Sequence, residues 1–311
     1  MAGSSAAPVR ESHMRDEDQI LHEANAAPPP APASRIRVGF IGLGSQGGPM
    51  ARRIADAGFP LTLWARRAST LEEFAGTRAA TAASPAELAK ASDIVGLCVR
   101  DDNDIEEVTA GPEGVLAGLR EGAVIAVHST VHPDTCRRLA EQSAAVGAHV
   151  VDAPVSGGKP AADAGRLLVM VGGDDASVAR CAPVFAAFGD PVVHLGPLGS
   201  GQVTKLLNNA AFTAHLGLAA RLLALGESLD VDRKRLAEVV LHGSGQSFAL
   251  ERIAAAGGLD RIAGVAGPLL AKDVRLVSSL LRDAKTAADD PLLAVARGAL
   301  ELMNAPLTTA Q

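Results

Sequence analysis

Apolar residues follow two different rhythms along this chain. From Ile36 to Leu195 they come in short runs separated by helical segments. Ile36-Arg37-Val38-Gly39-Phe40-Ile41 is an apolar run that stops at glycines, the pattern of a buried strand. Gln46 to Ala57 carries helical spacing at Met50, Ile54 and Ala57 and stops at Gly58. The spacing then predicts a strand over Leu61–Ala65, a helix from Leu71, a helix over Pro85–Lys90, a strand over Ile94–Cys98 and a helix around Ile105–Val108. It next predicts strand Ala123–Val127, helix Pro133–Val146, strand Val150–Asp152, strand Leu167–Val171, helix Ala176–Phe188 and strand Val192–Leu195. Repeated β-α-β units of this length require a parallel sheet with helices on both faces.

After Gly196-Pro197 the rhythm changes. Between Gln202 and Leu229 the strong breakers are Gly217 and Gly226, and apolar residues recur at helical spacing (Val203, Leu206, Leu207, Ala210, Leu218, Leu222, Leu225, Leu229). A helix of that length spans roughly 40 Å at 1.5 Å per residue. Further helices are predicted over Arg233–Leu241, Leu269–Arg282 and Leu292–Met303, and no strand-like alternation returns. The predicted fold class is α/β: a Rossmann-like doubly wound sheet in residues 35–198, then an all-α domain in 199–311. Residues 1–34, rich in Ala, Pro and Ser and ending in Pro28-Pro29-Pro30-Ala31-Pro32, predict a disordered tail.

Composition narrows the function classes. The 311 residues hold 29 Lys+Arg against 35 Asp+Glu, a net charge of −6, without the basic excess of a nucleic-acid binder. Hydrophobic residues make up 48%, which excludes wholesale disorder. No apolar run approaches the ~18 residues of a membrane helix. The tail lacks the apolar stretch of a secretory signal, and Glu11, Asp16, Glu17, Asp18 and Glu23 argue against an acid-poor transit peptide. Cys98, Cys136 and Cys181 are far apart and odd in number, so they fit neither a disulfide framework nor a C-x-x-C metal site. They read as small buried hydrophobes in a reducing, cytoplasmic compartment. Tyrosine is absent, which excludes the Tyr/Lys chemistry of short-chain dehydrogenases, and neither a G-x-S-x-G elbow nor a G-x-x-x-x-G-K-[ST] loop occurs.

Three stretches carry candidate chemistry. Gly42-Leu43-Gly44-Ser45-Gln46-Gly47 lies between the first strand and the first helix, the place of a dinucleotide-binding turn. There Gly42 permits the tight turn, Gly44 lets the backbone approach a pyrophosphate, and Gly47 lets helix and strand pack closely. NAD-binding sites usually place an acid about 20 residues on. This chain has Trp64-Ala65-Arg66-Arg67 instead. Arg66 and Arg67 either suit the 2′-phosphate of NADP or form a solvated basic turn. Asp152-Ala153-Pro154-Val155-Ser156-Gly157-Gly158 follows a strand. Its Ser156, Gly157 and Gly158 are either a carboxylate cradle or a glycine-rich hairpin turn. Gly199-Ser200-Gly201-Gln202-Val203-Thr204-Lys205-Leu206-Leu207-Asn208-Asn209 opens the long helix. Lys205 and Asn209 share a face, and a lysine there is electrostatically misplaced against the helix dipole. They are either a polar site facing the cofactor domain or surface residues.

Together these stretches resemble the β-hydroxyacid dehydrogenase family, which includes 3-hydroxyisobutyrate dehydrogenase and tartronate semialdehyde reductase. The resemblance covers about 36 to 304 and rests on Gly39 to Gly44, Asp152 to Gly158 with Met170-Val171-Gly172-Gly173, Gly201-Gln202 with Lys205 to Asn209, and Ala271-Lys272-Asp273. It implies a reversible NADP(H)- or NAD(H)-dependent oxidation of a small hydroxy acid, with NADP(H) preferred on the strength of Arg66 and Arg67. It implies that Lys205 is the catalytic acid/base and that Asn209, Ser156, Gly157 and Gly158 hold substrate. Lys272, Thr130, Val99 and Arg100 are implied at the cofactor, beside Gly42, Leu43, Gly44, Gln46 and Gly47. A homodimer or homotetramer built by the helical half is implied too, and the loop Gly243 to Phe248 is implied near the substrate, with Phe248 read as core.

The chain departs from the family pattern at four places. Gln46 replaces a usual Met, Ala65 replaces an Asn common in NADP-using members, Lys159-Pro160 replaces small residues, and His128 replaces an acidic or polar residue. None removes a catalytic group. His128 and Lys159 bear on substrate choice, and His128 reads as a loop histidine. An imine reductase-like enzyme would usually carry Asp or Tyr at Lys205, and a 6-phosphogluconate dehydrogenase would carry His at Asn208. A non-catalytic dinucleotide-binding module would lack Lys205. A scaffold protein would need heptads, a basic block or aromatic anchors in the tail, and the tail has none.

Overall fold

A computed structural model describes residues 36–284 and 290–307; the expected tail 1–34 lies outside the described residues. In chain order the elements are β1 (Val38–Ile41), α1 (Gly47–Asp56), β2 (Leu61–Trp64), α2 (Ala68–Glu72), β3 (Ala80–Thr81), α3 (Pro85–Lys90), β4 (Ile94–Leu97), α4 (Asp102–Thr109), α5 (Val115–Gly118), β5 (Val124–Val127), α6 (Pro133–Ala144) and β6 (His149–Asp152). Next come β7 (Val155–Ser156), α7 (Gly158–Asp163), β8 (Leu167–Val171), α8 (Asp175–Phe185) and β9 (Gly189–His194). The helical half is α9 (Ser200–Ser228), α10 (Arg233–His242), α11 (Phe248–Ala256), α12 (Asp260–Asp283) and α13 (Pro291–Leu302).

The first six strands form one parallel sheet in the order β3-β2-β1-β4-β5-β6. Covered on both faces, β1, β4 and β5 are buried at every residue, so they appear in the sequence as continuous apolar runs. Alternate side chains of β1 enter different cores. Phe40 packs with Met50, Ile54, Phe185 and Phe188, while Ile41 packs with Leu88, Leu97 and Val127. The strand order reverses beside β1, which makes a crevice outside the carboxyl ends of β1 and β4. Ile41 is in register with both Trp64 and Leu97, so the chain leaves β1, β2 and β4 at one level of that edge.

The continuous β-α-β series read from the sequence divides here. Strands β7, β8 and β9 form a separate sheet, antiparallel between β7 and β8 and parallel between β8 and β9. Only Ala153-Pro154 separates β6 from β7. A parallel crossover needs about a dozen residues or more, so the chain turns away instead.

Helix α9 has 29 residues and is the spine of the helical half. Leu206, Ala210, Ala214 and Leu223 pack against Val274 and Val277 of α12 and Leu293, Ala296 and Leu300 of α13. A Cβ at Gly217 would lie 2.6 Å from Ala299 Cβ, so the breaker of the sequence pattern is the point where α9 and α13 touch. Two expectations change here. Helix α11 was not anticipated, and α12 starts at Asp260 rather than Leu269, running through Pro268. Ile262, Ala263, Ala266 and Leu270 pack on the helical core, and that packing outweighs the local propensity of Gly264, Gly267 and Pro268.

One buried carboxylate joins β6 to α9. Asp152 accepts from Gly199 N at 2.7 Å and from Gln202 N at 2.6 Å. The Gln202 side chain continues the joint, donating to Ser129 O at 2.8 Å and accepting from Val131 N at 3.1 Å. Asp152→Ala leaves two buried N–H groups without acceptors and is expected to lower unfolding free energy by about 2–4 kcal/mol. Urea denaturation of the two proteins checks this, and an unchanged midpoint would contradict it.

Candidate active site

The glycine loop after β1 gives each glycine a different reason. Gly42 has φ 96°, and a Cβ there would sit 2.2 Å from Cys98 O on the neighbouring strand exit. A Cβ at Gly47 would sit 1.9 Å from Gly42 O, so this glycine lets α1 close onto the loop. A Cβ at Gly44 would meet nothing within 4 Å, because that residue faces open space. The loop therefore has one open side, and no side chain caps the N-terminus of α1 behind it. Backbone N–H groups at such an end suit a pyrophosphate.

That open side belongs to a cleft of about 1280 Å³ between the carboxyl edge of the large sheet and the helical half. Every residue named for the cofactor, the acid/base and the substrate carboxylate lines it, whereas of the loop Gly243 to Phe248 only Phe248 does. Gly42, Leu43, Gly44, Gln46 and Gly47 come from the loop after β1, and Arg66 and Arg67 follow β2. Val99 and Arg100 follow β4, and Thr130 follows β5. Ser156, Gly157 and Gly158 lie at the end of β7, while Lys205 and Asn209 lie on α9 and Lys272 on α12. Gly157 and Gly158 have φ 127° and 69° and lead directly into α7, so this stretch is a strand-to-helix turn and not a hairpin turn.

Lys205 is only 8% exposed. Burial lowers its pKa to about 8; Lys272 pushes in the same direction and Asp273 opposes. Among the described residues its Nζ has no protein hydrogen-bond partner, which leaves its N–H groups for a ligand in the cleft. Around it runs a fixed polar chain. Asn208 Nδ2 donates to Asn209 Oδ1 at 3.2 Å, and Asn209 Nδ2 donates to Asp273 Oδ2 at 2.6 Å. Lys272 Nζ lies 2.9 Å from Asp273 Oδ1 and also donates to Thr130 O. Asp273 is buried and received no role in the sequence reading. The available signal was an acid on a helix face otherwise occupied by Leu270, Val274 and Val277.

At the far end of the cleft, Arg66 and Arg100 share Asp104 of α4. Arg100 donates from Nε and Nη2 at 2.8 and 3.0 Å, and Arg66 donates from Nη2 at 3.1 Å. Arg100's hydrogen bonds, with help from Arg66, outweigh burial and hold the Asp104 carboxyl down at about 2. Arg66 Nη2 also donates to Glu107 at 2.8 Å, so Arg66 is not the free guanidinium that the sequence alone implied. Arg67 is exposed and has no ion pair among the described residues.

His128 lies in the loop after β5, as expected, but is buried, and Phe248 and Cys98 differ from expectation. His128 is a core residue: it is 4% exposed, its Nδ1 lies 2.8 Å from Ala153 O, and its ring packs on Phe40, Phe185 and Phe188. Burial lowers its pKa to about 4, so it is neutral at pH 7. Phe248 is 58% exposed on the cleft wall with Phe212 5.8 Å away, because it opens α11 instead of filling the core. Cys98 is half-buried on the cleft, unlike the buried Cys136 and Cys181. Lys159 lines the cleft but is bonded to Asp163 at 2.7 Å.

Comparison with known proteins agrees with this geometry. Residues 37–196 match the family model for the NAD binding domain of 6-phosphogluconate dehydrogenase. Residues 199–311 match the model for the NAD-binding region of NADP-dependent 3-hydroxyisobutyrate dehydrogenase. Mitochondrial 3-hydroxyisobutyrate dehydrogenase of Mus musculus is 32% identical over 84% of this chain and 79% of its own length. The Mycobacterium tuberculosis 3-hydroxyisobutyrate dehydrogenase structure with L-serine superposes with TM-score 0.76 at 23% identity, covering 87% of this chain and 93% of that one, a likeness of fold. The structure of Psf3 with NADP+ and 2-OPP superposes with TM-score 0.75 at 26% identity, covering 86% and 93%. Among the described residues no helix is long and apolar enough to cross a membrane. With its two NAD-binding models, its glycine loop opening on the cleft and its relatedness to 3-hydroxyisobutyrate dehydrogenases, the chain belongs to the β-hydroxyacid dehydrogenase family and is an NAD(P)-dependent dehydrogenase.

Proposed function

We propose that this enzyme moves hydride reversibly between NADP(H), in preference to NAD(H), and a small β-hydroxy acid or its semialdehyde, with Lys205 as general acid and base. The observation that carries this reading is the buried Lys205 amine, without a hydrogen-bond partner among the described residues, on the cleft into which the glycine loop opens. When bound, the nicotinamide supplies hydride in reduction and accepts it in oxidation. Lys205 gives a proton to the carbonyl oxygen in reduction and takes it from the hydroxyl in oxidation. Asn209, held by Asp273, orients the substrate. The Ser156 hydroxyl and the N–H groups of Gly157 and Gly158 receive its carboxylate. Gly42, Leu43, Gly44, Gln46 and Gly47 hold the pyrophosphate, while Val99, Arg100, Thr130 and Lys272 line the cofactor's path.

In this division of labour residues 35–198 bind the dinucleotide, and residues 199–311 supply the acid/base and the oligomer contacts of a homodimer or homotetramer. Leu218, Leu225 and Leu229 stand 56%, 56% and 73% exposed on or just after α9, which supports an assembly surface there. The unpaired thiols of Cys98, Cys136 and Cys181 support a cytoplasmic location.

Three outcomes follow. Lys205→Ala lowers kcat on the order of 10²–10⁴-fold while dinucleotide binding, followed by calorimetry, stays near wild type; near-normal turnover would remove Lys205 from the role. The base must be neutral for oxidation and protonated for reduction. Oxidation should therefore rise with pH through about 8 and reduction should fall above it, as read from kcat/KM profiles in both directions. The same direction of change in both would refute the assignment. Arg66→Ala combined with Arg67→Ala lowers kcat/KM for NADPH roughly tenfold or more and leaves NADH little changed; equal losses would show that these arginines do not select the cofactor.

A further inference from the structure

Arg66 is the cation that the cofactor reading aims at a 2′-phosphate, yet its guanidinium is already engaged. A guanidinium offers an oxyanion two paired edges, end-on through Nη1 and Nη2 and side-on through Nε and Nη2. Both edges include Nη2. In this chain Nη2 donates to Asp104 Oδ1 at 3.1 Å and to Glu107 Oε2 at 2.8 Å, which uses both of its hydrogens. Neither edge is then free for a two-bond grip.

The two carboxylates differ in how firmly they are held. Asp104 is buried, takes Nε and Nη2 of Arg100, and has its own N–H capped by Asp101. Its position is fixed from several sides. Glu107 lies one turn further along α4, with a side chain 61% exposed, and Arg66 is its one ion-pair partner among the described residues. An exposed pair of this kind is held weakly. A 2′-phosphate approaching Arg66 would meet one carboxylate that stays and one that yields.

We propose that Glu107 is a specificity-determining residue that restrains the preference for NADP(H). Its carboxylate occupies Nη2 of Arg66 in the free protein and has to leave before a 2′-phosphate is gripped by an edge of that guanidinium. Asp104 remains and fixes the plane of the group. NAD(H) carries no 2′-phosphate and leaves the Arg66–Glu107 pair intact, so the restraint falls on NADP(H) alone. This inference rests on the reading of Arg66 as a 2′-phosphate ligand.

The test is calorimetric titration of NADP+, NAD+ and adenosine 2′,5′-bisphosphate into the full chain and its E107Q, E106Q, R66A and R66A/E107Q variants. Glu106 sits on the same helix, but its carboxylate meets Arg138 at 3.1 Å, so E106Q removes the same charge without touching Arg66. E107Q should tighten NADP+ and the bisphosphate roughly three- to fivefold and leave NAD+ within about twofold. E106Q should leave all three near wild type. R66A should weaken NADP+ roughly tenfold, and in that background E107Q should have no further effect. If R66A weakens NADP+ but E107Q does not tighten it, or E106Q tightens it equally, the role of Glu107 is wrong and the reading of Arg66 stands. If R66A leaves the NADP+ to NAD+ ratio unchanged, both fall together.

Discussion

The two halves of this molecule are joined by a buried carboxyl group, that of Asp152. Asp152 closes β6, and its two oxygens take backbone N–H groups at the start of α9. A buried carboxylate is costly unless it is hydrogen-bonded, and the opening turn of a helix is costly to bury unless its N–H groups find acceptors. Each group satisfies the other, and the fit is close. A Cβ at Gly172 would lie 2.4 Å from Asp152 Oδ1, and one at Gly201 would lie 2.3 Å from Met170 O. Only hydrogen fits at both positions. Because Lys205 and Asn209 follow within the next turns of the same helix, the joint also sets where they stand over the carboxyl edge of the sheet.

The cleft that results keeps its cations beside buried acids. At one end Asp273 holds Lys272 and Asn209; at the other Asp104 holds Arg100 and Arg66. Each acid is a fixed anchor for side chains that line the cleft, which keeps flexible groups in one orientation before any ligand arrives. Such ordering reduces the side-chain entropy lost on binding. Each acid pairs with one local cation and also reaches a partner far away in sequence, 38 residues for Arg66 with Asp104 and 64 for Asn209 with Asp273.

That separation explains what the sequence disclosed and what it withheld. The parallel sheet was legible because β1, β4 and β5 are buried on both faces and appear as unbroken apolar runs. The glycine loop was legible because strand, turn and helix lie side by side in the chain, and Lys205 with Asn209 because one helix face carries both. The second sheet was hidden: β7 has two residues, and nothing local distinguishes a strand that joins a neighbouring sheet. Helix α11 and the first turns of α12 are held by packing on the helical core, against the local evidence of Gly264, Gly267 and Pro268. The burial of His128, a loop residue after β5, was hidden because its three aromatic neighbours come from β1 and from α8 and the residues just after it. The pairing of Arg66 was hidden for the same reason, since its partners sit on α4.

Three lysines line the cleft; Lys159 is bonded to Asp163, and the surroundings of Lys205 and Lys272 set those two apart. Lys272 donates one N–H to the Thr130 carbonyl and stands in an ion pair 2.9 Å from Asp273 Oδ1. Giving up a proton there would leave a buried carboxylate facing a neutral amine and would loosen the loop after β5. Lys205 has no such ties among the described residues, and it is buried enough to lower the pKa to about 8. Deprotonating it breaks no ion pair among the described residues, and its charged form is favoured by Asp273. The charge of Lys272 disfavours a second positive charge nearby and so adds to the lowering of the Lys205 pKa, which suits the proposed acid/base role. The distinction lies in which hydrogens are already spoken for, and a lysine's place in the sequence does not reveal that.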